Sequence, residues 1–479
     1  MRLTPTEPKV PENIGFTEEN DIFEYQEFGT RLADLVSNIA EPLVIVLDAP
    51  WGSGKSVFIK QWAELIRGRD GSVVYFDAFG NDIHDDAFLA LASEIHLLAE
   101  KTLGDGNQSS QTFLDTAKKV GKTLAPIGLR LAARVGTAGV LNLEDFRAGG
   151  EAFKSAAKFI GDEAEEVLEK TISKKLQKAE KEHESFEKFR EALENVSKAI
   201  TEKKQENNEE NNEEKQKNDH QSLPLIFIVD ELDRCRPPFA LDVIERVKHL
   251  FSVQNVCFVL VMDLPQFETA VQGAYGGKFD ARTYLEKFYH LKVMLPELNK
   301  LHYVNQQKQD RYLDYLWRNL NPEFKDARRD ELVLEEFRFL VKAHELSLRQ
   351  IERALTNVVV AAASAREAQW FVPPVIAGLC IMRQKYRELY KHARENNLTW
   401  NDVKDFLKID SGRSDTSLSG EKWVITWWRY FVDPDVPPED VDNHLGMFMR
   451  EDTFETRRSL QRTLTNYIDN LPNPPAPTD

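Results

Sequence analysis

The stretch APWGSGKS, residues 49–56, has the residue types and the spacing of a loop that binds phosphate groups. It follows an apolar run, PLVIVLD (42–48), and precedes an amphipathic run, VFIKQWAELI (57–66). A strand end, a short turn with inward-pointing amides and a helix N-terminus together surround the phosphates of a nucleotide. The sequence therefore predicts a nucleotide-binding loop between a strand and a helix.

The residues of this loop have distinct expected roles. Gly54 lets the backbone approach the phosphates, Lys55 reaches the outer phosphates, and the Ser56 hydroxyl is offered to Mg²⁺. Ala49 stands where the pattern GxxxxGK[ST] has its first glycine, and a small side chain at the strand exit should be tolerated there. The predicted nucleotide contacts in this loop are Ala49, Pro50, Trp51, Gly52, Ser53, Gly54, Lys55, Ser56 and Val57.

A pair of carboxylates follows a second apolar run, PLIFIVDELDR (224–234). Asp230 ends the run and is expected to orient Mg²⁺, whereas Glu231 is expected to polarise the attacking water. The alternative interpretation is an acidic pair that only ends a strand. Because the phosphate loop lies upstream, we expect ATP hydrolysis in which Lys55 and Glu231 are catalytic.

Asp263 ends another apolar run, NVCFVLVMD (255–263). If this strand lies between the other two, the carboxylate lies near the γ-phosphate, where it would sense nucleotide state as a third catalytic residue. Its alternative role is the N-cap of the helical pattern LPQFETAV. The two roles do not exclude each other.

Continuous apolar runs alternate with helical patterns over much of the chain. Such runs indicate parallel strands that are buried on both faces of an α/β sheet. The four predicted strands are LVIVLD (43–48), SVVYFDA (72–78), PLIFIVD (224–230) and NVCFVLVMD (255–263).

The pattern also divides the chain into regions. Residues 151–200 show helical spacing, and we expect a surface helix on its own domain, with a helical hairpin or a partner-binding arm as the alternatives. Residues 202–221 contain no apolar residue and should be disordered. The predicted regions are a loose N-terminal segment (1–20), a nucleotide-binding core (21–103 and 222–297), a helical insertion (104–201), an acidic linker (202–221), a helical lid (298–395) and a C-terminal helical region (396–479).

The overall composition argues against some classes of partner. Lysine and arginine total 62 against 79 acidic residues, which gives a formal charge of -17, so the chain as a whole repels nucleic acid. No stretch has the length and hydropathy of a signal peptide or a membrane span, and Cys235, Cys257 and Cys380 lack metal or disulfide spacing. These features predict a cytoplasmic protein without a transmembrane segment.

Five segments together resemble the KAP group of P-loop NTPases. They are WGSGKS (51–56), VDELDRCRP (229–237), VMDLPQFETAV (261–271), YLEKFYHLKVMLP (284–296) and LRQIERALTN (348–357). The resemblance spans residues 21–360. It implies an additional-strand P-loop fold, similar to the AAA and STAND groups, with the Asp263 strand between the phosphate-loop strand and the Asp230 strand. The membrane helices that many members carry in the insertion are absent from this sequence.

The resemblance also implies roles for four arginines. Arg234 and Arg236 would couple the nucleotide site to a neighbouring subunit or helix, and Arg349 and Arg353 would contact the γ-phosphate as second sensors. For Arg353 the alternative is a surface ion pair.

Two other candidate sites carry simpler alternatives. His84 lies among acids in FGNDIHDD, where a solvated loop is a simpler interpretation than a metal site. Trp423, Trp427 and Trp428 have helical spacing and few basic neighbours, which favours a packed core or a protein interface over base stacking.

Three functions are consistent with the sequence. The first is a switch in which ATP and Mg²⁺ control assembly into a homo-oligomer or a protein partner, with a role in bacterial defence against phages implied by the family resemblance. The second is a motor or defence ATPase that acts on nucleic acid, and the third is a scaffold that nucleotide only stabilises. No effector active site is evident, so a damaging activity would belong to a partner.

Overall fold

The nucleotide-binding core is built around one parallel sheet, to which helices are added on both faces. The structure is a computed structural model that describes residues 6–39, 41–83, 86–136, 163–211, 223–296, 302–320, 327–344, 346–364, 373–408, 419–433, 436 and 461–469 except 463 and 467. The strands are β1 (Leu43–Asp48), β2 (Val73–Asp77), β3 (Leu225–Asp230), β4 (Val256–Met262) and β5 (Leu291–Met294).

The helices of the first half of the described chain flank these strands. They are α1 (Gln26–Ser37), α2 (Lys55–Gly68), α3 (Ala78–Asn81), α4 (Ala87–Leu103), α5 (Gln108–Gly136), α6 (Glu163–Asn211), α7 (Pro237–Arg246), α8 (Leu264–Tyr275) and α9 (Ala281–Leu285). A 3₁₀ turn, Leu232–Arg234, follows β3. The helices after the sheet are α10 (His302–Leu320), α11 (Ala327–His344), α12 (Leu348–Ser364), α13 (Pro373–Lys385), α14 (Arg387–Arg394), α15 (Trp400–Leu407) and α16 (Ser419–Val432).

The strand order is β2-β3-β4-β1-β5, and all four pairings are parallel. This order confirms the predicted α/β fold of the additional-strand class, because β4 separates β1 from β3. The four predicted strands are present. The sequence missed β5, whose residues alternate between half-buried and exposed at the edge of the sheet.

Both faces of the sheet are buried, and β1 shows how the sequence achieves this. Leu43, Ile45 and Leu47 belong to one apolar core, whereas Val44 and Val46 belong to another. Successive side chains of a strand point to opposite faces, so a continuous aliphatic run supplies both cores at once. The first core extends into the C-terminal helices, and the second includes the helical insertion.

The insertion packs on its own domain. Helices α5 and α6 contact each other and α4, and the ring of Phe189 lies 5.0 Å from that of Phe88 and 5.3 Å from that of Phe251. The surface-helix interpretation therefore holds for the described part of the insertion. Helix α6 continues to Asn211, so residues 202–211 are helical rather than disordered; Glu, Lys and Gln favour helix without needing burial. Residues 212–221 lie outside the described residues.

The N-terminal segment also differs from its prediction. Residues 6–20 pack against α2 instead of lying loose. Phe16 is buried, and Asn20 forms hydrogen bonds both within the N-terminal segment and with α2. The Asn20 amide donates to Gly15 O at 2.8 Å, and the Gln61 amide donates to Asn20 O at 2.9 Å. Proline and charge in this segment hid one buried aromatic residue and one buried amide.

The helices after the sheet form a continuous core with it. Trp427 and Trp428 are buried, which supports the packed-core interpretation for these two; the side chain of Trp423 lies outside the described residues. Among the described residues, no helix combines the length and apolar character that crossing a bilayer requires.

Candidate nucleotide site

The loop between β1 and α2 has the backbone geometry of a phosphate cradle. Gly52 and Gly54 adopt φ angles of 77° and 87°, a left-handed conformation that glycine adopts without a steric cost. A Cβ on Gly52 would lie 2.9 Å from Cβ of Arg349, so the first of these positions also has no room for a side chain. Ala49 is buried at the strand exit and donates its N–H to Met262 O at 3.1 Å, which fits the expected tolerance of a small residue there.

The other loop residues surround this turn. Pro50 and Trp51 are exposed, and Val57 and Ser56 line the cavity described below. The Ser53 hydroxyl is buried and has no hydrogen-bond partner among the described residues. A buried, unpaired donor inside the turn fits a loop whose natural occupant is an anion such as phosphate.

Lys55 begins α2 and is almost fully buried, with 5 % of its surface exposed. Its ammonium donates to Ala49 O at 3.1 Å and lies 3.5 Å from Oδ2 of Asp233. A buried ammonium needs such partners, because desolvation of an unpaired charge is costly. The side chain is therefore held over the loop, within reach of anything the loop binds.

Asp230 and Ser56, the two predicted metal ligands, lie next to each other. Asp230 is fully buried at the end of β3, and this burial raises the pKa of its carboxyl. Hydrogen bonds from the Tyr75 hydroxyl, the Glu231 N–H and the Ser56 hydroxyl act in the opposite direction and lower that pKa. The Tyr75 bond is 2.7 Å long. Oxygen ligands of this type suit Mg²⁺, so the donors present fit that ion.

Glu231 occupies a strained position beside this pair. Its φ of 60° is left-handed, which is uncommon for a side chain of this size and is typical of functional sites. Burial raises the pKa of its carboxyl, whereas Arg234, at 2.6 Å from Oε1, lowers it. The predicted base is thus held by an arginine three residues further along the chain.

Asp263 combines the N-cap role with a contact to the loop. Its Oδ1 accepts the Gln266 N–H at 3.2 Å, and its Oδ2 accepts the Trp51 N–H at 3.0 Å. The cap predicted as an alternative is present. The carboxylate also ties the start of α8 to the phosphate loop.

Arg236 does not line the cavity beside the loop and instead contacts Asp82. Its backbone N–H and its side-chain Nε donate to the two carboxylate oxygens of Asp82 at 2.8 and 3.0 Å. This bidentate contact joins the segment after β3 to the segment after β2. His84, two residues beyond Asp82, lies outside the described residues.

A cavity of about 370 Å³ opens beside the loop. Its walls come from the N-terminal segment, the loop, α10 and α12, with Phe23, Tyr25, Tyr312, Leu348 and Arg349 among them. Arg349 therefore lies beside the phosphate loop, and its contact with the γ-phosphate stays a prediction. Arg353, one turn later on α12, is exposed and does not line the cavity. Burial raises the pKa of the neighbouring Glu352, and the positive charges of Arg349 and Arg353 lower it.

Sequence reasoning missed three parts of this site. Asp233 gave no signal of its own within the charged run DELDR, and Tyr75 read as one more strand residue. The N-terminal wall was hidden by its proline and charge. Strand alternation could have identified Tyr75, because it lies two residues before Asp77, the register partner of Asp230, and therefore on the same face of the sheet as Asp77.

The comparisons agree with this geometry. The model of the KAP family P-loop domain matches residues 25–365, which include the whole sheet, the phosphate loop, the acidic pair and Arg349. A search of the curated proteins gave no match.

Proposed function

Because the chain belongs to the KAP family of P-loop domains, we propose that it binds ATP with Mg²⁺, hydrolyses the β–γ phosphoanhydride bond and uses its nucleotide state as a switch. The observation that carries this proposal is the convergence of Lys55, Ser56, Asp230 and Glu231 at the carboxyl edge of one sheet. Ligands of open α/β sheets bind at that edge.

The residues of the site divide the chemistry between them. Amides of the loop and Lys55 bind the phosphates, and Ser56 and Asp230 hold Mg²⁺. The ion supplies neutralisation of the phosphate charge. Glu231 orients a water and takes its proton, which requires its carboxylate form.

The cavity supplies a place for the nucleoside. Phe23, Tyr25 and Tyr312 give it aromatic walls, and such walls favour a flat, apolar base. Adenosine next to a phosphate loop would fill a space of this kind. The triphosphate would then extend past Gly54 towards Lys55.

The contact between the loop and α12 supports the switch. The backbone of Gly52 lies so close to Arg349 that a Cβ does not fit between them, and a movement of the loop would therefore be transmitted to α12. Phosphates bound by the loop would also bind Arg349, so the position of α12 would depend on nucleotide state. We place the control of assembly or of a protein partner on this helical region.

ATP hydrolysis by the purified chain tests the proposal. Lys55→Ala and Glu231→Gln should each abolish hydrolysis, whereas Lys118→Ala, which changes an exposed lysine of α5, should not. Glu231→Gln should still bind ATP. Stimulation by DNA or RNA would instead support the nucleic-acid motor, and tight ATP binding without hydrolysis would support the scaffold.

Assembly and defence are separate parts of the proposal. Light scattering of Glu231→Gln with and without ATP should show a nucleotide-dependent homo-oligomer, and an unchanged mass would contradict that part. Defence against phages, which the family resemblance implies for bacterial members, predicts fewer plaques on cells that express the wild-type chain than on cells that express Lys55→Ala. Equal plaque counts would contradict the defence role alone.

A further inference from the structure

One buried carboxylate joins three segments of the site. Oδ2 of Asp233 accepts the indole N–H of Trp51 at 2.5 Å and the N–H of Asp263 at 2.8 Å, and it lies 3.5 Å from the Lys55 ammonium. The side chain of Asp233 has no solvent exposure. Its Oδ1 is buried and has no hydrogen-bond partner among the described residues.

The two buried carboxylates at the end of β3 and in the turn that follows it, Asp230 and Asp233, have different hydrogen-bond partners. Asp230 accepts from Tyr75 and Ser56, on the side of the predicted metal site. Asp233 instead faces Lys55, on the side of the predicted phosphates. Removing the Asp233 carboxylate should therefore change the position of the Lys55 ammonium and leave the predicted metal ligands, Asp230 and Ser56, in place.

We propose that Asp233 is a positioning residue that holds Trp51 and Lys55 in the nucleotide-free arrangement and competes with the phosphates for the Lys55 ammonium. This inference rests on the proposed nucleotide binding at Lys55. A buried ammonium can satisfy a phosphate or the Asp233 carboxylate, and the incoming phosphates also bring negative charge close to Asp233. Both effects weaken nucleotide binding.

The Asp233 carboxylate also connects the movement of Lys55 to Trp51 and to the start of α8. When Lys55 turns to the phosphates, Asp233 retains Trp51 and the N–H of Asp263, which begins α8. The loss of the lysine charge changes the field at the indole, because Trp51 Nε1 and Lys55 share one acceptor oxygen. Trp51 is therefore a reporter of where the lysine lies.

Asp233→Asn separates the charge from the hydrogen bonds. The amide oxygen can still accept from Trp51 and Asp263, but the charge that holds Lys55 is gone. The dissociation constant of Mg²⁺-ATP, measured by calorimetry, should fall by about threefold to tenfold relative to wild type. Asp405→Asn, which changes an exposed aspartate of α15, should leave it unchanged.

The indole contact has its own readout. The emission of Trp51 is obtained as the difference between each protein and the same protein carrying Trp51→Phe. Without nucleotide, this difference spectrum should shift in Asp233→Ala, which loses the acceptor, and should shift less in Asp233→Asn. With ATP, the wild-type spectrum should move towards that of Asp233→Asn.

The outcomes distinguish this inference from the proposed function. If wild type binds ATP and Asp233→Asn binds it no more tightly, competition for Lys55 is disproved. If the Trp51 difference spectra of wild type and Asp233→Ala coincide, the positioning role is disproved. If wild type does not bind nucleotide, the proposed function fails and competition fails with it, whereas the ligand-free spectra still decide the contact to Trp51.

Discussion

The hydroxyl of Tyr75, on β2, donates a 2.7 Å hydrogen bond to Oδ2 of Asp230, at the end of β3. The two strands are parallel neighbours, and Tyr75 lies opposite Ile228 in their register. A tyrosine two residues before the strand end thus reaches a carboxylate on the next strand. Burial and the negative charge of Asp230 both raise the pKa of Tyr75, so its hydroxyl keeps the proton it donates.

Tyr75→Phe should therefore weaken the use of Mg²⁺. Partners that orient a metal ligand typically contribute about tenfold or more to metal affinity or activity. The Mg²⁺ concentration for half-maximal ATP hydrolysis should rise by about that factor. Tyr289→Phe removes the hydroxyl of another half-buried tyrosine, outside the site, and serves as the control. An equal Mg²⁺ requirement in wild type and Tyr75→Phe would contradict the role of this hydrogen bond.

Gly52→Ala should disrupt the phosphate loop. The new Cβ would meet Arg349 at 2.9 Å and would sit at a φ of 77°, so nucleotide affinity should fall by about tenfold or more. Gly273→Ala is the matched control, because a Cβ on this glycine of α8 meets nothing within 4 Å. Helix propensity predicts that the control gains about 0.5 to 1 kcal/mol of stability. Calorimetric titration with ATP measures the nucleotide affinity, and urea unfolding measures the stability of each variant. An unchanged ATP affinity in Gly52→Ala would argue against the phosphate loop as the binding site.

The two arginines of α12 should differ in their effects. Arg349 lines the cavity and Arg353 does not, so Arg349→Ala should reduce kcat/KM for ATP by about tenfold, a typical effect of losing one cation that binds phosphate. Arg353→Ala should change kcat/KM by less than about twofold, as expected for an exposed arginine that does not line the cavity. Steady-state kinetics of both variants decide the matter; equal losses would mean that α12 moves on ATP binding to bring Arg353 to the site.

Glu336 makes the stability of the helical region depend on pH. It is 5 % exposed on α11, and burial, followed by repulsion from Glu335, raises the pKa of its carboxyl to about 8. Because the folded pKa exceeds the ordinary value of 4.5, its contribution is fully present below pH 4.5 and is lost as the pH rises through 8. Alkaline solution therefore favours unfolding of the wild type.

Glu336→Gln removes this dependence. Its advantage in the free energy of unfolding over wild type should grow by on the order of 2 to 4 kcal/mol between pH 5 and pH 9. Glu335→Gln, at the exposed neighbouring position, should show a much smaller change. Urea unfolding at both pH values measures the difference, and parallel curves for wild type and Glu336→Gln would show that the buried carboxyl is not responsible.

Sequence patterns were sufficient to predict the strands whose two faces are both buried. The runs at 43–47 and 225–229 are apolar at every position because both of their faces are covered, and short apolar runs of this kind, bounded by turn residues, are typical of buried parallel strands. The loop at 49–56 was equally plain, because its glycines and Lys55 occur at fixed offsets. The short edge strand β5 was missed because only half of it is covered.

Contacts between distant segments could not be read in this way. Asp233 is one acid among several in its run, and only the fold brings it to Lys55 and Trp51. Phe16 and Asn20 are ordinary residues in a segment rich in proline and charge, and only the surface of α2 gives them partners. Composition describes a segment by itself, whereas these side chains are ordered by others.

The strand order also determines when the sheet can form during translation. β1 pairs with β4 and β5, so Leu43 meets Cys257 and Ile45 meets Leu291 only after most of the sheet has been translated. At about 5 to 20 residues per second, the phosphate loop leaves the ribosome roughly ten to forty seconds before the strands that hold it. During that interval the apolar strand β1 has no neighbour in the sheet, so it is exposed to chaperones and proteases before the nucleotide site is complete.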